Sequence, residues 1–468
     1  MTRFSIVEVE QFEWPFTLRM PFRFGVITVR NGRQAVLRAR IRTQDGREGW
    51  GVAAETLAAK WFDKNQALSD GDNENQLRRA LELACEAGLR HGEDTGFGHF
   101  ANRYDAHVAA CGAEALNPLI AGYGQALLDR ACFDALLKLE ELSFDAGMRA
   151  NLGDMTPHPV IPDLGSFSFG ALLAVVPVPR RIAARHTVGL VDPITDADVV
   201  EWVHDGLPET LEQVAAVYGH RWWKLKVGGN MAADIDRLCR IAAVLDAGPA
   251  YQASLDGNEQ YADAGSALAL WQAMVAEPRL ARLCASVAYI EQPVARARAL
   301  ETSMAGLAAA RPVIIDESDG DLDAFVTAKG LGYAGVSTKA CKGFWRSFVN
   351  HARCAAWGDG YFMSAEDLTT LAGVCVQQDL SLVSALGLGH VERNGHHFIA
   401  GFEGRPKAEA VRFMEAHPDL YADTPAGPRL AIRQGVLEIG SLSAPGFGGM
   451  TEPDVTAMAE MPKADWPA

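Results

Sequence analysis

The sequence has no Cys-x-x-Cys pair, no complete dinucleotide-binding glycine fingerprint, no membrane-length apolar run and no excess of positive charge. Each absence removes a class of function. The eight cysteines are scattered through the chain in contexts such as Leu238-Cys239-Arg240-Ile241, so buried, reduced thiols are expected. Gly387-Leu388-Gly389 lacks a third glycine and Gly446-Phe447-Gly448-Gly449 opens no helical pattern, which argues against a doubly wound nucleotide-binding sheet. A net charge of −16 argues against a general partner of nucleic acid or anionic membrane. The opening Met1-Thr2-Arg3-Phe4-Ser5-Ile6 lacks the basic-then-apolar form of a signal peptide, and a cytoplasmic protein is expected.

What is present is a long chain, 468 residues and 49% apolar, enough to bury a large core in two domains. Residues 1–58 read as an antiparallel meander, with alternation in Phe4–Val9 and Gln34–Ile41 and a turn at Asp45-Gly46. Pro21-Phe22-Arg23-Phe24-Gly25 and Trp61-Phe62 read as aromatic loops. Residues 74–142 turn helical. Residues 143–178, rich in proline and glycine, read as a boundary or insertion. After Pro179, short apolar strands alternate with amphipathic stretches: Ala183–Val188, Trp222–Val227, Gln252–Leu255, Val287–Ile290, Val313–Ile315, Gly335–Ser337, Tyr361–Ser364 and a weaker eighth at Gly389–Val391. This repeat predicts a (β/α) barrel over 179–405, preceded by an α+β domain over 1–178. The remainder, 406–468, is expected to return to the first domain.

Barrel chemistry is built at the C-terminal ends of the strands. Those ends carry Lys224 and Lys226, then Asp256 with Asn258, Glu291, Asp316 with Glu317, and Lys339. The steps from Lys226 to Asp256, Glu291, Asp316 and Lys339 are 30, 35, 25 and 23 residues, each about one strand plus one helix. One aspartate after a strand is ordinarily a helix cap or a turn residue. Three carboxylates in succession, flanked by lysines, are hard to explain by capping. They repel one another unless a cation joins them, and hard oxygen donors suit Mg²⁺. Lys226 and Lys339 come from facing strands. Near a metal and each other, their pKa values would fall, so that one could remove a proton α to a carboxylate.

The motifs Lys224-Leu225-Lys226-Val227-Gly228, Leu255-Asp256-Gly257-Asn258, Glu291-Gln292-Pro293, Asp316-Glu317-Ser318 and Lys339-Ala340-Cys341-Lys342-Gly343 resemble, in order and spacing, the enolase superfamily and its muconate-lactonizing-enzyme-like members. The resemblance implies a modified (β/α)7β TIM-type barrel under an N-terminal α+β capping domain. It implies Mg²⁺ on Asp256, Glu291 and Asp316, with Lys226 and Lys339 as acid and base. Lys224 would stand near the substrate carboxylate, and Asn258 and Glu317 behind the metal ligands. Phe22, Phe24 and Trp61 of the cap would meet the distal part of a small carboxylate substrate. It also suggests a homo-oligomer. The outcome is left open between racemisation or epimerisation, cycloisomerisation, and acid-sugar dehydration, with a silent acid-binding barrel as the non-enzymatic alternative. The chain departs from the pattern at Ser337-Thr338 before Lys339 and at Phe344 after Gly343. It has no histidine in Phe362–Asp367, unlike the branches that use a His–Asp pair there. His390, His396 and His397, past the eighth strand, could face the mouth or pack in a loop.

Overall fold

The computed structural model describes residues 2–25 and 27–467. The first three strands are β1 (Phe4–Phe24), β2 (Ile27–Thr43) and β3 (Glu48–Thr56), which form an antiparallel sheet. Their alternating inward residues pack on the helices Asp70–His91 and Pro118–Leu139. Ser69 caps the first helix in a reciprocal box with Asp72, and Asn117 followed by Pro118 starts the second. Two glycines allow the close approach. A Cβ on Gly51 would lie 2.2 Å from the carbonyl of Ala131, and one on Gly124 would lie 2.2 Å from that of Ala80.

Pro21–Phe24, expected in a loop, instead ends β1 and pairs with β2 as Phe22↔Val29, Arg23↔Thr28 and Phe24↔Ile27. The ladder shifts register between Thr17 and Phe22, and Pro21, which has no N–H to donate, sits in that gap. Trp61 and Phe62 belong to a single helical turn, Ala59–Phe62.

Eight parallel strands follow: β4 (Arg181–Val188), β5 (Trp222–Lys226), β6 (Gln252–Asp256), β7 (Val287–Glu291), β8 (Val313–Ile315), β9 (Gly335–Thr338), β10 (Phe362–Ala365) and β11 (His390–Glu392). Each joins the next through helix, and β11 pairs with β4 to close the barrel. The fold is therefore the expected (β/α)7β barrel with an N-terminal capping domain. Residues 143–178 form the helices Phe144–Arg149 and Phe169–Val175 around a turn that Asp163 fastens to Arg353 of the barrel, at 2.8 and 2.9 Å. The tail adds Val436–Glu438 antiparallel to β4 and Ala459–Glu460 antiparallel to β1. Phe447 stacks on Phe144 at 3.7 Å. The buried Asp134 carboxylate accepts the N–H groups of both Val52 and Phe447, so one side chain joins sheet, helix and tail. All eight cysteines are free thiols. Among the described residues no helix is long and apolar enough to cross a membrane.

His99 lies stacked on Phe4, and its Nε2 bonds the Phe4 carbonyl at 2.8 Å. Burial pushes its pKa down from 6.5 to about 4. A depressed base contributes stability that is full above pH 6.5 and is lost as the pH falls through about 4. The contribution reaches about 3 kcal/mol. Urea midpoints should show H99Q losing less stability than the wild type between pH 6.5 and 4; equal losses would exclude this role for His99.

Candidate active site

Alternation along the parallel strands decides what faces the barrel interior. On β4 these are Arg185 and Thr187, and on β5 Lys224 and Lys226. The registers Lys226↔Asp256 and Asp256↔Glu291 put three ionisable groups level on adjacent strands. Lys226 Nζ lies 2.5 Å from Asp256 Oδ2. Lys339 Nζ lies 2.7 Å from Asp316 Oδ2, and Lys342 Nζ lies 3.0 Å from Asp316 Oδ1. Ser337 also donates to Asp316. Gln292 Oε1 accepts the N–H groups of Asp316 and Ser318, which fixes the end of β8.

Lys224, expected beside a substrate carboxylate, is instead surrounded by the protein's own. Its ammonium lies 2.9 Å from Asp256, 2.7 Å from Glu291, 2.7 Å from Glu366 and 3.0 Å from Glu392. Glu366 and Glu392, at the ends of β10 and β11, were not singled out in the sequence. They continue the same period, 27 residues after Lys339 and then 26 more. Arg185 completes the ring through its ion pair with Glu366. Thr187 donates to Glu392.

Five carboxylates (Asp256, Glu291, Asp316, Glu366, Glu392) thus meet five cations (Arg185, Lys224, Lys226, Lys339, Lys342), all buried. Burial alone would lower the pKa of Lys224, but its four carboxylates outweigh that and raise it well above the usual lysine range. The same contest, won by Asp316, raises Lys339. This is opposite to the lowering expected beside a metal, because here the nearest charge is an anion. Burial, then Asp256 and Glu366, pushes Glu291 well up. For Asp316 burial acts upward, but Lys339 and Lys342 hold it well below the carboxylate range.

Asp256, Glu291 and Asp316, at the ends of three successive strands, offer hard oxygen donors, and Glu291 Oε2 is buried without a hydrogen-bond partner among the described residues. This donor set fits a divalent cation of the Mg²⁺ type. Asn258 supports it: its N–H donates to Asp256 at 2.8 Å and its side-chain amide to Glu317 at 3.0 Å. Lys64 reaches in from the cap to Glu317 at 3.3 Å and Glu259 at 2.5 Å.

Above the charges lies a cavity of about 470 Å³. Its floor includes Lys224, Lys226, Asp316 and Lys339, and its walls Phe22, Phe24 and Trp61 of the cap. Asp256 and Glu291, 0% exposed, are covered by the lysines that hold them. The Trp61 ring stands 4.7 Å from Lys339 Nζ, a cation–π distance. Arg296 donates to the carbonyls of Trp61 and Phe62, both at 2.9 Å, and pairs with Glu259, so a barrel residue sets the position of the aromatic wall. The three histidines after β10 do not line the cavity. His390 stacks on Trp222 at 3.9 Å and bonds Arg185.

Lys224→Met would leave four buried carboxylates without their shared cation. The expected cost is about 3–5 kcal/mol of stability, read by denaturant unfolding without added metal. Adding Glu392→Gln should recover part of it, and strict additivity of the two changes would refute the coupling.

No protein-family model and no curated protein matches this sequence. Solved structures do match. A dipeptide epimerase from Enterococcus faecalis V583, complexed with Mg and the dipeptide L-Leu-L-Tyr, is 18% identical over 95% of this chain and 99% of its own, with a TM-score of 0.60. An enolase from Bradyrhizobium complexed with magnesium and mandelic acid is 17% identical over 98% of both chains, at 0.58. An enolase-superfamily member from Roseovarius nubinhibens ISM is 19% identical over 98% of both, at 0.57. At such identities the likeness establishes the fold alone, and the cap-and-barrel architecture of this chain is similar to that of these structures.

Proposed function

We propose that this chain is an isomerase that removes the α-proton of a small carboxylate and returns it from the opposite face, giving racemisation or epimerisation. The observation that carries the reading is the placement of Lys226 and Lys339. They come from β5 and β9, the second and sixth of eight barrel strands, and line one cavity from opposite sides. A substrate between them presents one face to each ammonium. Asp256, Glu291 and Asp316 would hold Mg²⁺, as the magnesium-complexed epimerase and mandelate-bound neighbours suggest. When bound, that ion polarises the carboxylate and lowers the energy of the enolate.

The protein's own groups do the rest. Asp256 and Asp316 orient the two lysines, each through one short ion pair. One lysine accepts the proton at Nζ in its neutral form, and the other, cationic, supplies a proton and balances the charge that develops. Phe22, Phe24 and Trp61 close the outer side, exclude water and so strengthen each of these interactions. This apolar wall suits a carboxylate with an apolar substituent better than the polyhydroxylated acid that a sugar-acid dehydratase would take. Cycloisomerisation uses the same groups and differs only in the substrate's own ring closure.

The test is exchange of the α-proton in D₂O over a library of N-acyl and aryl carboxylates, in metal-stripped and Mg²⁺-loaded protein. Exchange is expected only with the metal. Lys226→Ala and Lys339→Ala should each lower turnover by about 10²–10⁴-fold or more, each losing exchange of one enantiomer first. Undiminished exchange in both variants, or none with any carboxylate by the loaded wild type, would defeat the proposal.

A further inference from the structure

The deepest nitrogen-rich cluster of the molecule lies outside the active site. On β4 the interior positions are Arg185 and Thr187, so His186 between them points out of the barrel wall. His220 stands two residues before β5. His396 comes from the short segment Gly395–Phe398 that follows β11. The three side chains meet where the first, second and last strands close the barrel. All are buried, at 2, 5 and 6% exposure. One nitrogen from each ring lies within 4.8 Å of those from the other two.

We propose that His186, His220 and His396 form a second metal site, for a transition-metal ion of the Zn²⁺ class, which clasps the barrel at its closure.

Three observations support it. The first is the state of the nitrogens. His186 Nδ1, His220 Nε2 and both nitrogens of His396 are buried without hydrogen-bond partners among the described residues. Buried polar atoms are rarely left so, and four in one cluster call for a ligand. The second is tautomer control. His220 Nδ1 bonds the carbonyl of Ala184 at 2.9 Å, so it carries the proton and leaves the Nε2 lone pair free. A second-nitrogen bond to a backbone carbonyl is how metal-binding histidines are ordinarily oriented. The third is spacing. The ring centroids lie 5.2, 5.4 and 5.5 Å apart. With metal–nitrogen bonds of about 2.0–2.1 Å and tetrahedral angles, imidazole centroids fall about 5.2 Å apart. The centroid spacing matches that arrangement, and the donor nitrogens, within 4.8 Å of one another, would draw in to about 3.3 Å around the ion.

Burial also keeps all three imidazoles unprotonated, His220 down to about 4, so their lone pairs are available at neutral pH. His397, with its centroid 5.0 Å from that of His186 and Nδ1 unpartnered, borders the remaining side. Arg429 and Arg393 are neighbouring charges that oppose a cation, and Arg393 is paired with Asp379. Arg429 is turned toward the carbonyls of His396 and Ile399. Nitrogen donors select Zn²⁺, Co²⁺ or Ni²⁺ over Mg²⁺, so this site and the carboxylate ring sort different ions. His396 also sits two residues from Phe398, whose ring packs on Phe22 of the substrate cavity at 4.5 Å. An ion here would steady one wall of that cavity without touching the chemistry.

The test titrates Co²⁺ into the metal-stripped full-length protein in the presence of excess Mg²⁺. The expected result is one Co²⁺ per chain, with the strong visible absorption of a four-coordinate nitrogen site, displaced by Zn²⁺. Zn²⁺ should also raise the melting temperature. His220→Gln and His396→Gln, each verified as folded by circular dichroism, should weaken binding by about 100-fold or more. Asp256→Asn should leave the absorption intact. No stoichiometric Co²⁺ in the folded wild type would overturn the proposal. So would a band that vanishes in Asp256→Asn and persists in both histidine variants.

Discussion

The structure depends on keeping five carboxylates together in a place without water. Lys224 makes this possible, because its single ammonium touches Asp256, Glu291, Glu366 and Glu392 at once. An unpaired carboxylate in such a setting would take up a proton or force the site open. The arrangement follows from strand geometry: Lys224 lies one pleat deeper than Lys226, so it meets the carboxylates from β6, β7, β10 and β11 on the barrel axis. Lys226 meets only Asp256, nearer the mouth. Two lysines of the same strand face thereby occupy different electrostatic levels.

The cap and the barrel are bound to each other through the same currency of buried charge. Arg130 of the long cap helix, paired with Glu55 of the cap, donates to Gln378 Oε1 of the barrel at 3.4 Å, and Gln378 bonds the Val52 carbonyl at 2.7 Å. Lys64 and Arg296 share Glu259 from the two sides of the interface. These contacts fix the aromatic wall above the lysines. They make the cavity a joint product of two domains, so its shape is as rigid as their interface.

Most of the fold was legible because its signals are local. The eight barrel strands are short apolar runs at a regular period, and the structure places each within a residue or two of its expected limits. The places of Asp256, Glu291, Asp316, Lys226 and Lys339 at or just past the strand ends were legible for the same reason, since a strand end in a barrel is a place in space. Pro21–Phe24 was misread because a proline between aromatics looks like a turn, and only the register gap against β2 shows how a strand absorbs it. Glu366 and Glu392 continue the strand-end period, but nothing in the sequence shows that they meet at Lys224. That it faces Glu366 and Glu392, 142 and 168 residues away, is a property of closure and not of any window of sequence. The histidine cluster was hidden likewise, its members lying in three segments that only the closed barrel brings together.

Charge balance in the ring bears on how a lysine here becomes a base. With all five carboxylates ionised, five anions and five cations cancel. A divalent cation on Asp256, Glu291 and Asp316 would leave the pocket with two positive charges in excess. A substrate carboxylate removes one. The other is removed most simply when one lysine gives up its proton, and the candidates are those at the cavity surface, since Lys224 remains among Glu366 and Glu392. Lys339 is held by Asp316 and faces the Trp61 ring, which favours its cationic form. Lys226 likewise has a single carboxylate partner, Asp256, and the metal would share Asp256 and Asp316 alike. On the proposed function, the difference between the two is the Trp61 ring beside Lys339, which would favour that ammonium as the acid.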